Sequence, residues 1–319
     1  MQPLKLHLDT DLGGDIDDLC ALALVLNWPD VDLLAVTTVS DDQGRRAGYA
    51  RYALGVAGRD DVAVAAGADV SLGCYRDRLD YPDERDYWPE PVSPSPGPLE
   101  EALRLLERSI GQDAIIAAIG PFTNLSLLET RTPGILCKAR LFLMGGHVFP
   151  PRKGFPAYGG RMDYNVQVDV QSAHHVLQQS SPTLVPISVT VETWLRRAYL
   201  NTLNQSGPLA QLIAKQAEAF ALSGHIKTTY GQSCHGLPED TINFQHDPLT
   251  CAIALGWNEG VEIREIPLKS QIENGWLRQT VEPGGKPTKV VTRVNGGEFS
   301  EFWLSAVTGE TSAWSVFRE

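Results

Sequence analysis

Five aspartates lie within ten residues near the start of the chain, with two glycines among them: Asp9, Asp11, Asp15, Asp17 and Asp18. Carboxylates this close together repel one another and stay ionised only where positive charge lies among them. Their hard oxygen atoms are suited to Ca²⁺ or Mg²⁺. The stretch therefore predicts a divalent cation site. The alternative is a solvated acidic turn in which Asp18 lies near a helix N-terminus, where negative charge is favoured.

A second polar group comes late in the chain. His246 and Asp247 precede Pro248, and a helix is predicted over 249–255. The early aspartates therefore have a candidate partner at the other end of the chain. This favours the cation site over the acidic turn.

The elements around these residues predict an α/β fold. An apolar run from Leu4 predicts a strand that ends in the aspartates, and 19–26 predicts a buried helix after them. Further strands are predicted at 31–39, 62–67, 114–119, 139–144 and 183–190. Strands that alternate with helices form a parallel sheet with right-handed crossovers, and ligands bind at the carboxyl ends of such strands. After 261, alternating segments with hairpin-like turns predict antiparallel strands.

We therefore predict an open, mostly parallel sheet with helices on both faces and a few antiparallel strands near the C-terminus. No linker or internal repeat divides the sequence. A single α/β domain is accordingly predicted over 1–319.

The composition limits the possible partners. The chain has 319 residues and 43% hydrophobic residues, which suffice for the core of a large α/β domain. Its formal net charge of -12 argues against nucleic acid as a partner, because phosphate binding relies on Lys and Arg, but nucleosides carry no phosphate. Five cysteines without C-x-x-C spacing predict the reducing cytoplasm. Neither a signal peptide nor an apolar run of about 18 residues is found, so no membrane segment is predicted.

Two irregular stretches carry aromatic residues. The segment 71–98 is rich in proline, which forbids regular structure through most of it. A lid over a substrate base is favoured by its aromatic residues, Tyr81, Tyr87 and Trp88; the alternative is a mobile surface loop. A connector over 225–237 carries Tyr230, for which we also predict a contact with the substrate.

These motifs, in this order, resemble the nucleoside hydrolase family of the inosine–uridine preferring type. The family's first motif, D-x-D-P-G-x-D-D, is similar to residues 9–18 with two extra residues. Four further stretches are similar to its G-P-L-T-N, M-G-G, E-F-N-x-x-x-D and H-D-P motifs: 120–124, 144–146, 163–169 and 246–248. Each motif is weak alone, but five in order along nearly the whole chain are specific.

The resemblance implies a ribonucleoside hydrolase that uses Ca²⁺ to cleave the N-glycosidic bond to free base and ribose. The metal ligands would be the carboxylates of Asp11, Asp18 and Asp247 and the main-chain carbonyl of Ile119, joined by ribose hydroxyls and a water. Asp11 would also act as general base toward that water, whose pKa is lowered by the metal. His246 would protonate or hydrogen-bond the departing base; alternatively, it only orients Asp247.

The resemblance also implies the sugar-binding residues. Asp17 would accept a hydrogen bond from a ribose hydroxyl. The other sugar hydroxyls would be held by Asp163 and Asn165, and Met144 would pack against the ribose. Carboxylates around the sugar would stabilise an oxocarbenium-like transition state. A homodimer or homotetramer is expected from the resemblance alone.

The chain departs from the family's pattern at several places. Leu12 replaces the proline of the first motif, and the extra residues include Asp15, which we expect to be exposed rather than a further ligand. Asp42 stands where the family has an asparagine that contacts the sugar, and Asp163 replaces a glutamate. The family's H-G segment, which contacts the base, is missing, and 87–89 with the proline run stand in its place. Ribose hydrolysis is therefore better supported than a preference for inosine or uridine.

Two other functions fit parts of the pattern. A haloacid dehalogenase-like phosphatase also begins with a strand and D-x-D, with Asp9 as nucleophile and Asp11 as acid, but its later motifs are not those found here. A nucleoside- or sugar-binding protein that kept the metal pocket would explain the changed base-side segment. Such a protein would have no need of a general base, so the presence of Asp11 and His246 argues against it. Release of phosphate, binding without turnover, and release of free base distinguish the three functions.

Overall fold

A nine-stranded sheet forms the centre of the computed structural model, which describes residues 3–69, 87–223, 230–309 and 314. The strands, in chain order, are β1 (Leu4–Thr10), β2 (Val31–Thr38), β3 (Ala63–Ala66), β4 (Ile115–Ala118), β5 (Arg140–Met144), β6 (Thr183–Val185), β7 (Leu195–Arg196), β8 (Thr241–Asn243), β9 (Glu262–Glu273), β10 (Trp276–Val281) and β11 (Lys286–Arg293). Strands β7 and β8 form a separate antiparallel pair.

Helices connect most of the strands. They are α1 (Asp17–Asn27), α2 (Arg45–Val56), α3 (Leu99–Gly111), α4 (Thr123–Arg131), α5 (Tyr164–Gln167), α6 (Val170–Gln179), α7 (Ile187–Thr190), α8 (Leu200–Asn204), α9 (Pro208–Ser223), α10 (His246–Ala254) and α11 (Gly296–Val307). Short 3-10 turns lie at Asp42–Gly44, Leu136–Lys138, Gly160–Met162 and Arg197–Tyr199. Within the ranges that the structure describes, no helix is both long enough and apolar enough to cross a bilayer.

The order of the strands places β1 near the middle of the sheet. The order is β10-β9-β11-β6-β5-β4-β1-β2-β3. Strand β1 pairs in parallel with β2 and β4, with Leu8 opposite Val36 and Ala117. Strand β9 runs antiparallel to both β10 and β11. The predicted open, mostly parallel sheet with a few antiparallel C-terminal strands is therefore confirmed.

Apolar side chains pack on both faces of this sheet. In β4, Ile115 and Ala117 belong to one buried cluster, together with residues of α1, α2, α9 and α10. Ile116 and Ala118 belong to a second cluster, together with residues of α3, α4 and α6. Successive side chains of a strand point to opposite faces, so a fully apolar strand needs cover on both sides. The predicted helices on both faces are therefore confirmed.

Two elements have different limits from those predicted. The helix predicted over 249–255 begins at His246, so that His246 and Asp247 lie in its first turn. The strand predicted over 183–190 ends at Val185, and residues 187–190 form α7 instead. Pro186, which separates the two, has no N–H to donate to a neighbouring strand.

The proline-rich residues 91–98 are packed along α2. The N–H of Ser95 donates to the carbonyl of Gly44 at 2.8 Å. A Cβ on Gly44 or on Gly48 would lie 2.3 Å from the backbone of this segment, so only glycine permits such a close approach. This part of the predicted lid or mobile loop is therefore fixed against the rest of the structure.

Candidate active site

Three buried carboxylates converge at the carboxyl end of β1. One oxygen from each of Asp17, Asp18 and Asp247 lies within 4.8 Å of the others. Asp17 and Asp18 begin α1, whereas Asp247 lies in the first turn of α10. The main-chain N–H of Asp247 donates to the carboxylate of Asp17 at 3.3 Å. Two helix N-termini, with their partial positive charge, therefore meet at these carboxylates.

Burial raises the pKa of all three carboxyls well above the ordinary value, and repulsion from neighbouring aspartates raises it further. A divalent cation would oppose both effects, because it supplies positive charge at contact distance. The three donors are carboxylate oxygens, which suit Ca²⁺ or Mg²⁺ better than a soft metal. The residues present therefore fit the predicted cation.

Asp11 lies beside this cluster, directly after β1. Its oxygen atoms are not among the three that converge, but its negative charge raises the pKa of each of those carboxyls. Burial raises the pKa of Asp11 itself, and the positive charge of Arg46 opposes that shift. The guanidinium of Arg46 also donates to the main-chain carbonyl of Asp11. Sequence reasoning missed Arg46, although a basic residue shortly after β2 could have indicated a positive charge close to the aspartates.

The carbonyl of Ile119, the predicted main-chain ligand, lies directly after β4 and close to Asp11. A Cβ on Gly120 would lie 2.9 Å from both the nitrogen and Oδ1 of Asp11, so glycine lets these two chain segments approach. The Asn165 amide donates to the carbonyl of Ile119 at 2.7 Å and to the carbonyl of Met144 at 3.2 Å. Asn165 thus links a predicted metal ligand to a predicted sugar contact.

Asp163 is buried beside the glycine pair that follows β5. Its carboxylate accepts the N–H of Gly146 at 2.5 Å and the N–H of Val166 at 3.3 Å, which caps α5. Burial raises the pKa of Asp163 to about 7, against the effect of these hydrogen bonds. The structure therefore brings Asp163 and Asn165 to the end of β5, next to β4.

Asp15 is half-buried, so the expectation that it is exposed is wrong. Its carboxylate accepts the N–H of Ile16 at 2.6 Å and a hydrogen bond from the amide of Asn243. Burial raises the pKa of Asp15 to about 6. The insertion thus joins the first loop to the end of β8, just before the late motif, which no local pattern could indicate because Asn243 is 228 residues away.

The structure does not bring Asp42 into the carboxylate cluster. Its side chain is 71% exposed and lies 3.9 Å from Arg45. The neighbouring Asp41 is buried instead, and it accepts the hydroxyl of Thr38 at 2.7 Å and the N–H of Arg46 at 2.7 Å. The buried acid at this point is therefore Asp41, which fixes the start of α2, and the sugar contact predicted for Asp42 gains no support from its position.

Trp88 is packed in the core rather than laid over the cluster. Its ring stacks on Tyr49, with centroids 4.5 Å apart and planes 10° apart, and it is buried. Tyr49 packs in turn against Gly13 of the first loop, where a Cβ would lie 2.5 Å from the Tyr49 ring. This packing gives no support to a lid role for Trp88, which packs against the acidic loop through Tyr49. Tyr81 lies in 70–86, outside the described residues.

His246 lies between the carboxylates and a group of aromatic rings. The ring of Phe244 is 5.4 Å from that of His246, and Tyr158 and Tyr230 pack against Phe244 at 5.8 and 6.0 Å. Nδ1 of His246 lies 2.6 Å from the hydroxyl of Thr190. Burial lowers the pKa of His246 to about 3, so its ring is neutral at pH 7. Tyr230 therefore lies on the His246 side, while Tyr158 and Thr190 were missed by sequence reasoning.

Asn124, from the G-P-F-T-N stretch, holds the ends of three strands together. Its amide donates to Asp9 at 2.8 Å and to the carbonyl of Thr38 at 2.9 Å, and it accepts the N–H of Ala68 at 2.9 Å. Asp9 is fully buried, and Thr37 donates a further hydrogen bond to the same Asp9 oxygen. Asp9 is thus unsuited to be the nucleophile that the phosphatase alternative requires.

Comparisons with known proteins agree with this geometry. Residues 6–301 match the model of a family described as inosine-uridine preferring nucleoside hydrolase. The non-specific ribonucleoside hydrolase RihC of Klebsiella pneumoniae subsp. pneumoniae is 28% identical over 237 residues, which are 70% of this chain and 75% of that protein. The pyrimidine-specific ribonucleoside hydrolase RihA of Salmonella arizonae is 27% identical over 260 residues, 78% of each chain.

Solved structures share the fold. A plant nucleoside hydrolase, the PpNRh1 enzyme, superimposes with a TM-score of 0.78 at 21% identity, covering 96% of this chain and 99% of its own. A purine-preferring ribonucleoside hydrolase from Gardnerella vaginalis gives a TM-score of 0.77 at 20% identity, covering 96% and 98%. The family match over residues 6–301 shows that the chain belongs to the inosine-uridine preferring nucleoside hydrolase family and is a hydrolase that acts on N-glycosyl bonds.

Proposed function

We propose that the protein is a calcium-dependent ribonucleoside N-ribohydrolase, which cleaves the N-glycosidic bond with water to give free base and ribose. The observation that carries the proposal is the convergence of Asp17, Asp18 and Asp247 within 4.8 Å, from opposite ends of the chain. Buried carboxylates this close together are costly, and the positive charge of Arg46 offsets only part of that cost at Asp18, so the arrangement favours a bound cation.

We assign the metal ligands to the carboxylates of Asp11, Asp18 and Asp247 and to the carbonyl of Ile119. Calcium takes six to eight oxygens, so this set leaves room for sugar hydroxyls and a water. A bound divalent cation would lower the pKa of that water and balance the carboxylate charge. Asp17, which shares the cluster, is then available to accept a hydrogen bond from a sugar hydroxyl.

Asp11 is our candidate for the general base. It is half-buried beside the cluster, and the positive charge of Arg46 opposes the rise in its pKa that burial causes. A carboxyl that stays ionised can accept a proton from the attacking water. The neighbouring carboxylates also stabilise the positive charge that develops on the sugar as the glycosidic bond breaks.

On the sugar side we assign Asp163, Asn165 and Met144. Asn165 contacts both the carbonyl of Ile119 and the sulfur of Met144, so these three groups share one wall of the site. On the base side we assign His246 as hydrogen-bond donor to the leaving base, with Tyr230 nearby. Relatives are named non-specific, pyrimidine-specific and purine-preferring, so we propose a ribonucleoside and no particular base.

The experiment is a base-release assay on a panel of ribonucleosides, with protein treated with a chelator and then supplied with Ca²⁺ or Mg²⁺. We expect free base and ribose from at least one nucleoside, loss of activity with the chelator, and recovery with Ca²⁺. Binding without turnover, or turnover that a chelator does not affect, would contradict the proposal. A homodimer or homotetramer, working in the cytoplasm, stays a prediction, and light scattering in solution checks the oligomeric state.

A further inference from the structure

A buried hydroxyl of α7 holds the imidazole of His246. Thr190 is fully buried, and its Oγ1 lies 2.6 Å from Nδ1 of His246. His246 itself is only half-buried, and its Nε2 has no hydrogen-bond partner among residues that the structure describes. One nitrogen of the ring is therefore fixed, while the other remains available to a ligand.

The backbone beside this contact is also fixed. The hydroxyl of Thr193 donates to the carbonyl of Thr190 at 2.7 Å and accepts the N–H of Gln245 at 3.2 Å. Two threonines three residues apart thus hold the start of α10. Thr193 binds the main-chain N–H of Gln245, and Thr190 binds the ring of His246. This arrangement leaves the imidazole little freedom to rotate.

The direction of the hydrogen bond follows from the neighbouring groups. The Thr190 hydroxyl carries one proton, which it can donate to Nδ1 of His246 at 2.6 Å or to the carbonyl of Ile187 at 3.3 Å. The contact with the ring is 0.7 Å shorter than the contact with the Ile187 carbonyl, which also accepts the N–H of Val191, so we assign the hydroxyl proton to Nδ1. A neutral imidazole that accepts at Nδ1 carries its hydrogen on Nε2.

We propose that Thr190 is a positioning residue that fixes the orientation and the Nε2–H tautomer of His246, so that this nitrogen donates to the departing base. The inference rests on the proposed N-ribohydrolase function. When the bond between C1′ and the base nitrogen breaks, its electron pair goes to the base, and a hydrogen bond from Nε2–H stabilises the negative charge that develops there. Because Thr190 is fully buried, it would act through His246 and not directly on the base.

Two leaving groups separate this role from a merely structural one. A ribonucleoside needs a donor to its base, whereas 4-nitrophenyl riboside releases 4-nitrophenolate without one. Thr190→Val removes the hydroxyl and keeps the shape, and Thr190→Ser restores a hydroxyl. The control is Thr130→Val, because the Thr130 hydroxyl donates to the carbonyl of Ser126 within α4. All variants are tested as full chains with Ca²⁺ present.

We expect Thr190→Val to lower kcat for the nucleoside by about 10- to 100-fold and to change 4-nitrophenyl riboside hydrolysis by less than about twofold. Thr190→Ser should recover most of the nucleoside activity, and Thr130→Val should leave both substrates unaffected. Equal losses on both substrates, or an unchanged nucleoside kcat in Thr190→Val, would overturn the proposal. A wild-type protein that releases neither base nor nitrophenolate would instead overturn the proposed function.

Discussion

The main-chain N–H of Asp247 donates to the carboxylate of Asp17, although 230 residues separate them in sequence. This contact joins the N-termini of α1 and α10, so each helix presents its acidic first turn to the other. The cation site is thus built by the fold as a whole, and it can exist only when both ends of the chain are in place.

Removing one carboxylate from this cluster should stabilise the protein without metal. We expect Asp18→Asn to raise the metal-free stability by about 1 kcal/mol, because burial and repulsion disfavour the charged form. The same change should abolish most of the Tm increase that Ca²⁺ gives the wild type. Thermal unfolding with a chelator and with Ca²⁺ measures both effects.

Asp32→Asn is the matched control, because Asp32 is exposed at the N-terminal end of β2, whereas the carboxylate cluster lies at the carboxyl ends of the strands. It should change neither value. A lower metal-free Tm in Asp18→Asn, combined with a full response to Ca²⁺, would show that Asp18 is not a ligand.

The buried Asp163 should make stability depend on pH. Its pKa in the folded protein is about 7, above the ordinary value of 3.8, so folding favours its protonated form. This contribution is complete below about pH 4 and is lost as pH rises toward 7. Compared with Asp163→Asn, the wild type should therefore lose about 2 kcal/mol of unfolding free energy between pH 5 and pH 8.

Urea unfolding of both proteins at each pH gives this difference. The buried His7 and His246, whose pKa values are lowered to about 3, change stability in the opposite direction, but they are present in both proteins and cancel. A difference that stays constant with pH would contradict the raised pKa of Asp163.

His246→Ala separates the two roles considered for this histidine. If His246 assists the leaving base, kcat for nucleosides should fall about 100-fold, while the Tm increase with Ca²⁺ remains as in the wild type. If His246 only orients Asp247, calcium affinity should fall together with activity. Calorimetric titration with Ca²⁺ beside the base-release assay distinguishes these results.

Trp88 should matter for stability rather than for base preference. Its ring stacks on Tyr49 inside the core, so Trp88→Ala should cost about 3 kcal/mol of unfolding free energy. The ratio of kcat/KM for inosine and uridine should stay within about twofold, since a change in the core affects both substrates alike. Tyr230→Ala should change that ratio instead. A base preference altered by Trp88→Ala would restore the lid interpretation.

The parts of the fold that depend on local pattern could be predicted from sequence. Strand β1, the acidic loop and α1 follow from an apolar run, a change to aspartate and glycine, and a helical pattern. The late His246 and Asp247 were found by residue type. Helices on both faces followed from strands, such as β4, that are apolar throughout.

The parts of the fold and of the site that depend on contacts distant in sequence could not be predicted. Asp41 and Asp42 are adjacent acids, and only the turn into α2 decides that Asp41 is the buried one. Burial of Trp88 requires the ring of Tyr49. Asp15 accepts a hydrogen bond from Asn243, 228 residues away, and the composition of the loop cannot predict this contact.

The most direct test of the central claim is a crystal structure of the protein grown with Ca²⁺. We predict one calcium ion about 2.3–2.6 Å from carboxylate oxygens of Asp11, Asp18 and Asp247 and from the carbonyl of Ile119. An ion bound elsewhere, or a cluster of these carboxylates that stays without an ion at saturating Ca²⁺, would contradict the account.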